Sequence, residues 1–319
     1  MTSNTTRTSA FHAVLAILAA TALVAGSASA QGVVLYGTAH GPMGTTATSD
    51  LYVIDPATAE ATLVGPIDDP GFPGQIRNVT GLAFLDDGVL VGAANGDLLP
   101  DCVAPSTRCS ALVEIDPLTA AATLIGLIGG NEVADQCGRA TDLTYDPTGS
   151  TLFAWGGRCL DTTPNSDQLL TVDLATGLGT EVGETGFFAE GNGLAREPST
   201  GTLFAATGSD LATLDSATGA GTVVPGSAPL PQTVSGLDFD PDSGVLYGAE
   251  IDGTLVTIDT ATGAVSVVGQ AMAGGGALDA FHGLAFQEVP EPADALLLVT
   301  GALLLVGAHQ LRRGARSQA

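Results

Sequence analysis

A chain of 319 residues with 34 acids, nine arginines and no lysine carries a formal net charge of −25. That balance excludes nucleic-acid binding, which rests on cations that neutralise phosphates, and it argues against adhesion to anionic lipid. It suits solubility, divalent cations or a high-salt setting, and composition alone does not separate these.

The chain opens with one early cation, Arg7, followed by an apolar run from Ala13 to Ala25 and a small-residue exit at Ala28-Ser29-Ala30. This order predicts a secretory signal helix over residues 1–30, removed by signal peptidase before Gln31. The apolar run is short for a membrane-spanning anchor.

From Val33 onward the chain repeats itself. A phrase of the type LVxIDxATGxxTLVG recurs five times, with its aspartate at Asp55, Asp116, Asp173, Asp215 and Asp259 and a threonine three positions later each time. A second phrase, of the type GLAF, begins at Gly81, Asp142, Gly193, Gly236 and Gly283. A third, LYGA or LFAA, falls at Leu35, Leu90, Leu152, Leu203 and Leu246. Each unit therefore holds four short runs rich in Val, Ile, Leu, Thr and Phe, separated by Gly, Pro and Asp, without helical periodicity. Four strands in roughly 40–60 residues describe a β-propeller blade.

With GLAF as strand A, LYGA as B, LVxID as C and the following TLVG run as D, the repeat begins on a B strand near Val33 and ends on an A strand at Gly283–Phe286. The last strand can complete the first blade and remove an open edge. Residues 31–288 are thus predicted to be an all-β, five-bladed β-propeller closed by pairing of its N- and C-terminal strands. The pattern resembles the NHL and YVTN-like propeller repeats, a likeness that implies no activity.

Asp and Thr of the recurring phrase suit a tight C-to-D turn, and Gly177, Gly219 and Gly263 supply positive φ there. Ala59 and Ala120 stand in that place in the first two repeats, so those turns either differ or carry strain. The row of aspartates fits turn chemistry rather than calcium, because no loop has dense oxygen-ligand spacing; no cofactor is expected.

A-to-B and C-to-D turns share one face of such a ring, and B-to-C and D-to-A loops share the other. The latter are long, at 38–50, 66–78, 94–110, 127–140 and 156–167, and they carry Cys102, Cys109, Cys137 and Cys159. An even cysteine count in an exported chain reads as disulfides, with three pairings to choose from; Cys102–Cys109 with Cys137–Cys159 is favoured. No CxxC appears, so a metal site is not expected. Long braced loops on a rigid scaffold are the usual place for binding. The candidate binding residues on this face are His40, Asp101, Arg108, Arg139, Trp155, Arg158 and His282. Trp155 ends a B strand and reads as core before sugar platform. Arg196 takes the strand A place held by Phe84, Tyr145, Phe239 and Phe286, as a packing irregularity or as partner to Glu197 or a neighbouring blade's acid. No GxSxG, HExxH or phosphate-cradling glycine motif appears, so no catalytic residue is assigned. The enzyme alternative is a secreted glycan-active protein using loop carboxylates as acid and base.

After Phe286 come Pro290-Glu291-Pro292, an apolar stretch from Ala295 to Ala308, then Arg312, Arg313 and Arg316. Fourteen helical residues reach about 21 Å, short of a hydrocarbon core of about 30 Å, although Leu311 and snorkelling arginines extend the reach. Positive charge beyond this predicted transmembrane helix favours a cytoplasmic C-terminus. The three-part string over residues 289–316 resembles the PEP-CTERM sorting domain, with Asp294 at the helix entrance and His309-Gln310 before the arginines as departures. The resemblance implies processing by an exosortase after transient anchoring in the inner membrane. It further implies delivery to the cell surface or extracellular matrix, where polysaccharide or a matrix protein is the expected partner.

Overall fold

Apolar, β-branched runs bounded by Gly, Asp and Pro become strands throughout the computed structural model, which describes residues 32–40, 49–70, 76–95, 110–128, 140–156, 166–187, 193–278 and 280–288. The predicted signal helix, the sorting motif Pro290, Glu291, Pro292, Arg312 and Arg313, and all four cysteines lie outside the described residues.

Five four-stranded antiparallel sheets form five blades. Blade I holds β22 (Phe281–Gln287), β1 (Val34–His40), β2 (Ser49–Ile54) and β3 (Ala61–Pro66), from strand A to strand D. Blade II holds β4 (Val79–Phe84), β5 (Leu90–Asn95), β6 (Ser110–Ile115) and β7 (Ala122–Leu127). Blade III holds β8 (Ala140–Asp146), β9 (Thr151–Gly156), β10 (Gln168–Val172) and β11 (Gly179–Glu184). Blade IV is smaller, with β12 (Leu194–Arg196), β13 (Leu203–Ala206), β14 (Leu211–Leu214) and β15 (Gly221–Val223). Blade V holds β16 (Val234–Phe239), β17 (Leu246–Glu250), β18 (Thr254–Ile258) and β19 (Val265–Gln270). The predicted closure is present: β1 pairs antiparallel with β22, from Val34 opposite Gln287 to Ala39 opposite Phe281. One element escapes the repeat, a hairpin of β20 (Met272–Ala273) and β21 (Gly276–Ala277) turning on Gly274 and Gly275, both at positive φ. Paired positive-φ residues are what a two-residue hairpin turn demands.

Strand alternation sends successive side chains to opposite neighbours, so the apolar core is divided among the seams between blades. Leu35 packs towards blade V with Leu255 and Phe281, while the adjacent Tyr36 packs towards blade II with Val79 and Leu82. Aromatic residues of B strands meet those of the next blade's A strands: Tyr36 with Phe84 at 5.4 Å, Phe204 with Phe239 at 5.7 Å and Tyr247 with Phe286 at 5.3 Å between centroids. Tilted pairs at such distances add to area burial.

Two sets of glycines set how closely blades approach. At the axis, a Cβ on Gly236 would lie 2.2 Å from the His282 carbonyl oxygen, and one on Gly81 would lie 2.6 Å from Asp142 Cα. The inner strands therefore meet backbone to backbone. At the rim, the glycine that ends the D-strand phrase of blades I, II, III and V docks under the C-to-D turn of the next blade, whereas Gly226 of blade IV faces open space. Cβ atoms on Gly126 and Gly183 would fall 2.0 Å and 2.1 Å from the carbonyl oxygens of Thr176 and Thr218. Gly65 and Gly269 have more room, 3.2 Å from Thr119 O and Thr58 O, because their partner turns carry the methyl groups of Ala120 and Ala59.

Those two turns do not differ from the others; they are strained. Ala59 and Ala120 sit at φ 61° and 59°, beside 74° at Gly177 and 77° at Gly219. Each turn closes the same way, with the N–H of this residue donating to the aspartate's backbone carbonyl at 2.7–2.8 Å. Left-handed backbone costs a non-glycine residue about 1 kcal/mol, and the buried methyl groups offset it by filling the seam.

The two classes of joint give a differential prediction. Gly126→Ala drives a methyl into a carbonyl and lowers the stability of residues 32–288 by about 2–3 kcal/mol or more, the upper range for overpacking. Gly65→Ala costs less than about 1 kcal/mol. Urea midpoints of the two variants check this, and equal losses would mean that the rim joints do not set blade spacing.

Candidate binding face

Strand A runs from the long-loop face to the turn face and B returns, so all B-to-C and D-to-A connections open on one side. There the strand ends carry a belt of buried polar residues, several of which bond the framework. Ser49 Oγ accepts from Val79 N at 2.8 Å, and Thr38 Oγ1 donates to Val79 O at 2.8 Å. One blade on, Ser110 Oγ accepts from Ala140 N at 2.8 Å while Asn95 Nδ2 donates to Ala140 O at 2.9 Å. Ser110 also donates to Asn95 Oδ1. B and C strands of one blade thus hold the start of the next blade's A strand.

Each of those A strands bulges near its start, with register shifts between Val79 and Gly81, Ala140 and Asp142, and Val234 and Gly236. Bulges re-aim a side chain. Thr80, Thr141 and Ser235 occupy them, and Ser235 Oγ donates to Phe281 O of blade I at 2.5 Å. His282 stands at the matching irregularity of β22 and is half-buried.

Asp142 replaces glycine in the axial ring. Its side chain, fully buried, accepts from Leu143 N on Oδ1 at 2.9 Å and from Leu194 N and Leu237 N on Oδ2 at 2.8 and 3.1 Å. One carboxylate on blade III thereby satisfies inward-facing N–H groups of blades IV and V. Burial pushes its pKa well above 3.8, against those three donors, with repulsion from Asp238 added. Asp238 accepts from Phe286 N of blade I at 2.7 Å, and its pKa is pushed up to about 7 by burial, against the N–H groups of Phe286 and Phe239.

On the opposite face the five turn aspartates each accept the N–H two residues on, at 2.8–3.0 Å. Arg196 there pairs with Asp146 of the neighbouring blade at 3.0 Å, not with Glu197. Burial works against the Asp146 carboxylate, but Thr148 and Arg196 outweigh it and its pKa lies below the usual value.

Of the sequence-predicted binding residues, Asp101, Arg108, Arg139 and Arg158 lie outside the described residues. His40 ends β1 opposite Ser49. Trp155 is fully buried in the seam between blades III and IV with Leu194 and Leu203, a core position. Sequence reasoning passed over Glu250, at the loop-face end of β17. It is 4% exposed, its Oε1 is buried without a hydrogen-bond partner, and burial followed by repulsion from Asp252 raises its pKa. Its signal in the sequence is an acid in the third phrase where Ala39, Ala94 and Gly156 stand in other blades. Trp155 Nε1 and Ser166 Oγ on the same face are likewise buried without a partner.

No family model and no curated protein matches the chain. Among solved structures it is similar to a chain of the nidogen/laminin complex, at 13% identity and TM-score 0.49, covering 80% of this chain and 98% of that one. It is similar also to TolB from Acinetobacter baumannii (11%, TM-score 0.43, 75% and 53% covered). A candidate 6-phosphogluconolactonase from Bacteroides fragilis gives 12%, TM-score 0.43, and coverage of 82% and 100%.

The carboxylates set opposing pH dependences. Asp142 and Asp238 hold protons more tightly folded than unfolded, so their effect is to lower stability as pH rises from about 4 to 7. Asp116, Asp173, Asp215 and Asp259 are held below 3.8 by N–H groups and threonine hydroxyls of their own turns. Their contribution is complete above that value and fades as pH falls below it. Residues 32–288 should therefore show a higher urea midpoint at about pH 5 than at about pH 8, and Asp238→Asn should narrow the gap. A midpoint that rises across this interval would contradict the assignment.

Proposed function

We propose that the ring is an exported, non-enzymatic binding module whose long-loop face takes extracellular polysaccharide or a matrix protein. In the same reading, the tail that resembles a PEP-CTERM sorting domain carries it to the cell surface. The observation behind it is the asymmetry of a closed ring. One face consists of tight turns whose polar groups serve their own backbone, and every long connection opens on the other. A rigid base under long loops is the arrangement in which binding residues can differ without disturbing the fold. The axial carboxylates support the non-enzymatic side of the reading. Asp142 and Asp238 are committed to backbone N–H groups of three other blades, whereas an acid–base pair must be free to exchange protons with a substrate. Glu250 and Ser166 offer unpaired polar atoms at the floor of the face, where a ligand hydroxyl or amide would be bonded.

A glycan array probed with residues 32–288, with and without calcium, is the direct test. Binding of one polysaccharide class that is weakened at least tenfold by Glu250→Gln, with the fold intact, is expected. Release of shortened glycan during incubation would overturn the non-enzymatic reading. For the sorting part, deletion of Pro290–Ala319 should move the protein from the cell surface to the medium or periplasm, and unchanged surface retention would count against it.

A further inference from the structure

Strand alternation fixes the direction in which Glu250 points. Along β17, Leu246 packs into the seam between blades IV and V with Phe204, Val234 and Leu237, whereas Tyr247 and Ala249 pack into the seam between blades V and I. Glu250 shares the parity of Leu246, and its register partner on β16 is Val234, fully buried in the first of those seams. Directly opposed residues of an antiparallel pair lie on one side of the sheet. The carboxyl group therefore stands at the loop-face end of the seam between blades IV and V.

Short connections border the mouth of that seam. Residues 207–210 join B to C in blade IV and residues 251–253 do so in blade V, against 41–48, 96–109 and 157–167 in blades I to III. The first is a tight hairpin, with Thr207 N donating to Asp210 O at 2.9 Å. Leu230 caps the seam beside it and donates its N–H to Ser209 O at 2.7 Å, while Thr233 O accepts from Ile251 N at 3.0 Å. Glu250 is the last residue of β17, and the next residue, Ile251, is 45% exposed. The carboxyl group is thus one residue below the surface, beside an apolar wall, with Oε1 unpaired. A neutral hydroxyl would supply the missing hydrogen bond and leave the charge uncompensated. A protonated amine supplies both, because burial, followed by repulsion from Asp252, is what disfavours the carboxylate. The protein provides no such cation among its described residues. It has no lysine, Arg196 is bound to Asp146 on the turn face, and Arg77 precedes β4 of blade II.

We propose that the mouth of the seam between blades IV and V binds a polysaccharide of amino sugars with free, protonated amines, one amine pairing with Glu250. This rests on the reading of the loop face as a binding face and narrows its ligand. The shallow carboxyl group suits an amine borne directly on a sugar ring, whereas a lysine on its long stem suits a deep slot. Exposed Ile251 and Pro231 offer apolar contact to the C–H face of such a ring. Asp252 and Asp210, in the two short connections, are placed for further amines along the polymer. A net charge of −25 draws a polycation towards the whole ring.

The test titrates the full chain, purified in a non-ionic detergent, with a short fluorescent glucosamine oligomer at physiological salt. The fully N-acetylated oligomer, which has lost its charge, should bind at least tenfold more weakly, and Glu250→Gln should weaken the glucosamine oligomer by a similar factor. Asp242→Asn, an exposed acid of the turn face, should change the affinity less than twofold. Gln232→Lys, at an exposed position, sets a lysine beside the mouth where Glu250 can take it, and should weaken the oligomer at least fivefold without loss of urea midpoint. Equal losses in Glu250→Gln and Asp242→Asn would mean general charge attraction and overturn the site. Unchanged affinity in Glu250→Gln and Gln232→Lys overturns it as well. A lysine oligomer of equal charge that binds more tightly, with the same dependence on Glu250, overturns the amino sugar in favour of a basic protein segment. The glycan array separates this inference from the reading beneath it. Binding of an amine-free glycan alone removes the amino sugar and leaves the binding face, whereas no binding of any glycan or of the oligomer removes both.

Discussion

The structure depends on one close approach: the innermost strands of five blades meeting around a common axis. Each inner strand has one edge paired within its own sheet and one edge turned towards the axis, with N–H groups that no ladder satisfies. Exposed edges of this kind either find partners or cost free energy, about 1–3 kcal/mol for each buried orphan. In this ring the approach is allowed by Gly81, Gly193, Gly236 and Gly283, which leave no side chain between backbones. It is then satisfied by two carboxylates. Asp142 bonds the N–H groups of Leu194 and Leu237, and Asp238 bonds that of Phe286. The rest follows: with the inner strands in contact, the blades bury their apolar side chains in the five seams between them.

The number of blades, the order of strands and the closure by β1 and β22 were all legible in the sequence, because they are written in local chemistry. An aspartate followed by a threonine and a positive-φ residue makes the same turn wherever it falls, and five such turns count five blades. Contacts between blades were less legible. In blades I, II, III and V the glycine that ends the D-strand phrase reads as a strand terminator, yet its place is set by a carbonyl oxygen of the next blade. Asp142 reads as a departure from a GLAF pattern, and only the ring shows that it reaches two other blades. Arg196 had three readings, and the partner turned out to be Asp146, fifty residues away in sequence and one blade away in space. Ala59 and Ala120 show the same limit from the other side: strain was foreseen as one of two outcomes, but the reason it is tolerated lies in the neighbouring Gly269 and Gly65.

The candidate site was legible as a face and not as a set of atoms. Loop lengths identify the face, since strand polarity forces every B-to-C and D-to-A connection onto the same side. Side-chain roles on it do not follow from residue type. Trp155 has the composition of a sugar platform and the position of a seam residue. Glu250 has the composition of a solvated surface acid and is buried to 4% exposure with an unpaired oxygen. The Trp155 position bears out its reading as core, and both placements have one cause: where a strand ends relative to the seam decides whether its last side chain faces water or a neighbouring blade.

This division of labour explains why polar residues are so dense beneath a face proposed for binding. Ser49, Thr38, Asn95 and Ser110 lie beneath this face, yet they bond the starts of neighbouring A strands. A buried hydroxyl that already holds a backbone group cannot exchange it for a ligand without leaving that group unsatisfied. Recognition on this ring therefore has to come from residues above the belt or from the few buried atoms the belt leaves unpaired. Glu250 is the clearest of these, because it alone among them is an acid whose charge burial penalises and a bound donor would restore.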